Sequence, residues 1–296
     1  MHSSEGDDML SDFAARHGLG LGPVVEREKL AIHAAITANA SVTAAYSKLS
    51  DAELSDPAIG LLLNMLHRNC ELAEAAIIAF VTGSGSASEV VSRACVESSA
   101  NIAFILAGNS TGRLLAYFDH YFRSVDRQVK AWRKESSALS GADARIHDVS
   151  AARRQMANDT LRDFVNKAFG TQHLEQWPSS IEKRFSELGK GLSYRTFYAR
   201  MSSEVHGDAE ETIRYFVGRL QSQEVFEAMA LETVWNSRLF LYYAVASFLD
   251  ASLLYTRRYG LAKAGADIAR LRADVEQELG EIAKHTGSGA GEEVGR

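Results

Sequence analysis

Proline is scarce in this chain. Only Pro23, Pro57 and Pro178 occur among 296 residues, against an average usage of about 5%. That excludes a sandwich or barrel built on many tight turns, and it excludes a Pro-rich linker architecture. Glycine is depleted where it matters: eight of the 22 lie in the two ends, at Gly6, Gly18, Gly20, Gly22, Gly287, Gly289, Gly291 and Gly295. Two cysteines, Cys70 and Cys95, are too few for a disulfide framework or a cysteine-based zinc site. Positive charge is also short. Thirty-two Lys and Arg face 38 Asp and Glu, a net −6 and a pI near 5.9, so no global field draws the protein to nucleic acid or an anionic membrane. The acidic start, MHSSEGDDML, lacks the basic and apolar regions of a signal peptide. The most membrane-like run, Leu239 to Leu254, is too short for a span and carries Asp250. A soluble cytoplasmic protein is the expectation, with no membrane partner. What remains is 46% hydrophobic sequence with few breakers, the composition of long helices.

Punctuation along the chain agrees. Residues 1–22 and 286–296 lack apolar periodicity and read as flexible tails, leaving 23–285 as a single helical domain. Ser55-Asp56-Pro57 opens a helix to about Val81, with proline in the first turn. Ser86 and Glu89 have capping-box spacing ahead of a helix ending near Gly108. Helices follow over about 111–137 and 143–168, then a short one from Trp177-Pro178 to Gly189, and another from Tyr194 to His206 with Gly207 as its C-cap. The long C-terminal helices occupy 221–284. The first, to Tyr259, is apolar on most faces and so central. The second carries Ile268, Leu271, Val275, Leu279 and Ile282 at heptad-like spacing, a packing or dimerisation edge. The fold class is all-α, a bundle of about eight to ten helices.

The common catalytic signatures are absent: no phosphate-binding glycine loop, no GxSxG and no HExxH. His67, Cys70, Glu71 and Glu74 share a helix face, but no Glu-x-x-His accompanies them, so core packing with a solvated edge accounts for them better than a di-iron centre. No metal or cofactor is expected.

Three features carry chemical interest. Arg93 and Glu97 stand at i, i+4 in an otherwise apolar helix. They form either a weak surface ion pair or a buried pair that needs hydrogen-bonding partners to offset desolvation. Tyr194, Tyr198, Ser202 and His206 recur every four residues, one polar stripe on a short helix, with Arg200 nearby. At a helix C-terminus His206 favours its protonated form, suited to a general acid or a phosphate contact. A histidine capping its own helix, with tyrosines filling gaps, is the plainer account. The third feature is a basic row, Arg123, Arg127, Lys130 and Lys134, in a stretch from Arg113 to Lys167 holding 11 basic and seven acidic side chains. With Tyr117, Tyr121 and Trp132 alongside, such a row could track RNA phosphates while aromatics stack bases. A solvated helix face is its plainer alternative.

Arg93-x-x-x-Glu97, Trp177-Pro178, Leu188-Gly189, Tyr194, Tyr198, Ser202 and His206-Gly207 together resemble a bacterial family of uncharacterised helical proteins, domain-of-unknown-function family 5677, over residues 60–210. That resemblance implies a fold class more than an activity. Arg200-x5-His206 is also similar to the signature of HEPN-domain proteins, all-helical modules that often dimerise and include metal-independent ribonucleases of toxin and antiphage systems. This second likeness implies that Arg200 neutralises a scissile phosphate and His206 moves protons, with Ser202, Tyr198, Arg93 and Glu97 beside them and two protomers joining their motifs. A non-enzymatic module binding a protein or small molecule is the competing expectation, in which the same residues form a closed structural network.

Overall fold

The computed structural model describes residues 3–170, 175–201, 213 and 216–287. Among them lie twelve α-helices, one π-helical turn and no strand. The all-α class stands, while the number of helices exceeds eight to ten. The surplus comes from short pieces that composition does not mark: α2 (Pro23–Arg27), α4 (Asp51–Leu54) and α10 (Gly191–Ser193).

The N-terminal segment departs most from expectation. Where a loose tail was expected, Ser3–Arg16 forms α1, with Leu10 and Phe13 in the main core and Ala14 buried beside them. The i, i+3, i+4 spacing of those three is enough to anchor the helix despite its acidic surroundings.

The longer helices are α3 (Lys29–Tyr46), α5 (Pro57–Val81), α6 (Gly85–Leu106), α7 (Ser110–Ser136), α8 (Gly141–Phe169), α11 (Gln223–Arg258) and α12 (Ala262–Gly287), with α9 (Ile181–Glu187) between. Pro57 sits in the first turn of α5, and the Asp56 carboxylate accepts from the Ala58 N–H at 2.9 Å. Asn109 caps α7 through the Gly112 N–H at 3.3 Å. The expected Ser86–Glu89 capping box does not form. Helix α6 begins at Gly85, and Glu89 is buried as an acceptor for the Ser237 hydroxyl of α11, so it cannot reach back.

Helix α11 is the axis. Phe240, Leu241, Tyr242, Val245, Phe248, Leu249 and Tyr255 are buried on all its sides, and α3, α5, α6 and α12 surround it. It is the one described helix long and apolar enough to cross a membrane, yet 83% of that stretch is buried within the bundle. The heptad-like edge of α12 is spent internally: Ile268, Leu271, Val275 and Ile282 are buried against α3 and α11. Helices α7 and α8 form a hairpin with its own small core of Val125, Val129, Ala151 and Trp132.

Candidate functional site

A hydrogen-bonded cluster joins α6 to the segment after α9. Following α10, Tyr194–Tyr198 form a π-helical turn in which the Ala199 N–H reaches back to the Tyr194 carbonyl. The wider turn sets Tyr198 against α6, only 3% exposed. Its hydroxyl donates to Glu97 Oε2 at 2.9 Å and accepts from Arg93 Nε at 3.4 Å. The Arg93 guanidinium lies 5.4 Å from the centre of the Tyr198 ring. Arg93 and Glu97, one turn apart on α6, thus meet through a phenol supplied about a hundred residues later. Burial pushes the Tyr198 hydroxyl above the ordinary tyrosine range; the Arg93 hydrogen bond opposes that shift and Glu97 adds to it.

Arg184 completes the cluster, and nothing in its local spacing distinguished it. It projects from α9, is 7% exposed, donates from Nη1 to the Pro178 carbonyl at 3.1 Å and lies 5.1 Å from the Trp177 ring centre. Its Nε has no hydrogen-bond partner among the described residues. Desolvation lowers its pKa, while Glu97, Tyr198 and Tyr117 pull the other way. The one available signal was the Trp177-Pro178 pair ahead of it, since a tryptophan beside a turn offers a face for a guanidinium. Tyr194 stacks on Tyr198 at 5.5 Å and Phe185 closes the aromatic side at 5.7 Å.

The remaining sequence candidates are divided. Arg200 donates to Asn236 Oδ1 of α11 at 3.4 Å, with its guanidinium 5.5 Å from the Phe240 ring centre. Phe197, three residues before it, stacks on Tyr243 of α11 with ring centres 4.2 Å apart. Ser202 and His206 lie outside the described residues. Arg123, Arg127, Lys130 and Lys134 are exposed along α7, Arg123 pairing with Asp119 at 2.8 Å. Of the aromatics near that row, Trp132 is taken up by a hydrogen bond to His147 at 2.9 Å. On α5, His67 meets Thr43 at 2.9 Å, and Glu74 faces Arg16 and His17. No group of three metal-capable side chains occurs among the described residues.

Family comparison follows the same residues. A model for a family of unknown function, DUF5677, matches residues 60–224, the span carrying α5 to α10 and the Arg93–Glu97–Tyr198 cluster. The chain belongs to the DUF5677 family. No curated protein matches it, and no solved structure does. The family span ends as α11 begins, so the axial helix is contributed almost entirely from outside it.

Proposed function

We propose that this DUF5677 protein is an RNA-binding helical module that follows the phosphate backbone with the basic row of α7. The observation behind this reading is the disposition of Arg123, Arg127, Lys130 and Lys134. All four are exposed within an arc of about 60° at 100° per residue, on the side of α7 turned from α8. Arg127, Lys130 and Lys134 make no ion pair among the described residues. Cations left free on a straight row are what counterion release requires.

Metal-independent cleavage is the finer form of this reading. In it Arg200 neutralises the scissile phosphate, while His206, assisted by Ser202, moves protons during attack by a 2′-hydroxyl. The part played by Arg93, Glu97 and Tyr198 is then to hold the turn that leads to Arg200. The engaged, buried Tyr198 hydroxyl supports that division of labour. The same closure favours a second reading, a non-enzymatic module for a protein or small-molecule partner.

Fluorescence anisotropy with a labelled single-stranded RNA across a salt series tests the first reading. Arg127→Ala/Lys130→Ala/Lys134→Ala should weaken binding at least tenfold and flatten the log–log salt slope by about 2. Wild-type protein with no salt-dependent binding, or a triple variant that binds like it, would sink the RNA reading. For cleavage, total RNA in chelator should be cut by wild type and left intact by His206→Ala and Arg200→Ala. Intact RNA with wild type, together with a lowered melting temperature in those variants, would favour the non-enzymatic module.

A further inference from the structure

We propose that the outer face of α8 is a homodimer interface, on which two copies of this chain pack α8 against α8 in antiparallel fashion. Ile146, Val149, Met156 and Phe164 are exposed on that face, Ile146 by 61% and Phe164 by 71%. With about 100° per residue they share an arc of about 80° with Arg153 and Thr160. The opposite side of α8 is satisfied within the chain: Ala151 is buried in the hairpin core, and Asn158 donates to the Phe122 carbonyl and to Asp126 at 3.1 and 2.8 Å. A shallow groove of ≈590 Å³ runs along the first half of the outer face, lined by Arg145, Ile146, Val149 and Arg153.

Positions 142, 146, 149, 153, 156 and 160 alternate steps of four and three, the seam spacing of a two-stranded coiled coil. The occupant follows from the flanking charges. Arg145 and Asp159 are two heptads apart, so they lie on one flank, and in an antiparallel pair like flanks meet. One register sets Ile146 against the partner's Met156, Ala142 against its Thr160, and the methylenes of Arg153 over its Val149. The same register places Arg145 beside the partner's Asp159, and every contact occurs twice by two-fold symmetry. Phe164 then reaches the partner's α7–α8 turn, where Leu139 is exposed. A parallel pair has none of this complementarity, because Arg145 would face Ser150 and Asp159 would face Phe164. The Arg153 guanidinium, near the dyad, runs out to solvent from its apolar stem. Both α7 basic rows stay on the outside, so this interface stands or falls independently of RNA binding.

Sedimentation of the full chain at micromolar concentration should give twice the 32.4 kDa chain mass. Ile146→Glu/Met156→Glu should give the single-chain mass with an unchanged circular dichroism spectrum and melting temperature. Arg145→Asp and Asp159→Arg should each weaken dimerisation at least tenfold, and their combination should restore it. Val149→Cys should cross-link two chains with a short bis-maleimide against a low background, since Cys70 and Cys95 are buried. A wild-type chain that sediments alone, a dimer indifferent to the double glutamate variant, or an unlinked Val149→Cys protein would each overturn the proposal.

Discussion

Tyr198 donates its hydroxyl to Glu97 at 2.9 Å, bridging 101 positions of sequence with one hydrogen bond inside the family-defining span. Because Arg93 donates to the same oxygen, the phenol is saturated and the π-helical turn is fastened to α6. The residues that follow the turn inherit their starting direction from it, Arg200 first among them.

Replacing Tyr198 by Phe keeps the ring stacking on Tyr194 and removes only the bridge. Glu97 loses a donor at a largely buried position, a loss of about 1–3 kcal/mol. Thermal denaturation should show a melting temperature lower by several degrees. An unchanged melting point would mean that water replaces the phenol at no cost, and the cluster would then be more open than its burial indicates.

Two buried arginines should respond in opposite ways. Arg238 on α11 donates from Nε to both Glu28 oxygens at 2.9 and 3.0 Å and from Nη2 to Glu278 at 2.9 Å. Burial alone would lower its pKa, but Glu28 and its neighbours reverse the sign. Arg238→Met would leave the fully buried Glu28 with only the half-exposed Arg27, whose Nε donates to it at 2.9 Å, as a charged partner among the described residues, and should cost about 3 kcal/mol. Arg184, by contrast, has its pKa lowered, chiefly by desolvation, so its charge is a net burden on the fold. Arg184→Met should leave the urea midpoint near that of wild type or raise it. Equal losses in the two variants would contradict this contrast.

How much of this was legible depended on the reach of each interaction. Local signals worked: Asp56-Pro57 opens α5 as spaced, and Gly189 takes the left-handed φ of +70° where its helix stops. Glu89 shows the limit of such reasoning. Its spacing from Ser86 is that of a capping box, but its partner is Ser237, 148 residues away, while the box that does form is Ser50–Glu53. Arg93 and Glu97 could be placed on one face by their spacing. That Tyr198 would bridge them could not, because no local period links α6 to a π-helical turn. Arg184 had only the Trp177-Pro178 pair to hint at it, and the spending of the α12 heptads inside the bundle had no local signal.

Neither thiol should react in the native protein. Cys70 and Cys95 are buried on α5 and α6, and burial pushes the Cys95 thiol up to about 12 and raises Cys70 as well, with Glu74 adding to the effect on Cys70. The thiolate is the reactive form. Ellman's reagent near pH 8 should therefore titrate no thiol in the folded chain and two in denaturant. Rapid native labelling would show that the α5–α6 interface opens on the timescale of the assay.

Buried phenols set the alkaline limit of the fold. Desolvation raises the pKa of Tyr117, Tyr198, Tyr242, Tyr243 and Tyr255, and takes Tyr259 to about 12. In the unfolded chain each titrates near 10. A folded-state pKa above the unfolded one means that the unfolded chain loses its proton first. The stabilisation is therefore fully present below about pH 10 and is lost as pH climbs toward the folded values. Urea midpoints should be level from about pH 8 to about pH 9.5 and fall steeply beyond. Tyr198→Phe removes one of the six contributors, so its midpoint should start lower and fall less steeply. A wild-type midpoint that held through about pH 11 would mean these phenols ionise as readily in the fold as out of it, which their burial among α5, α6, α7 and α11 does not permit.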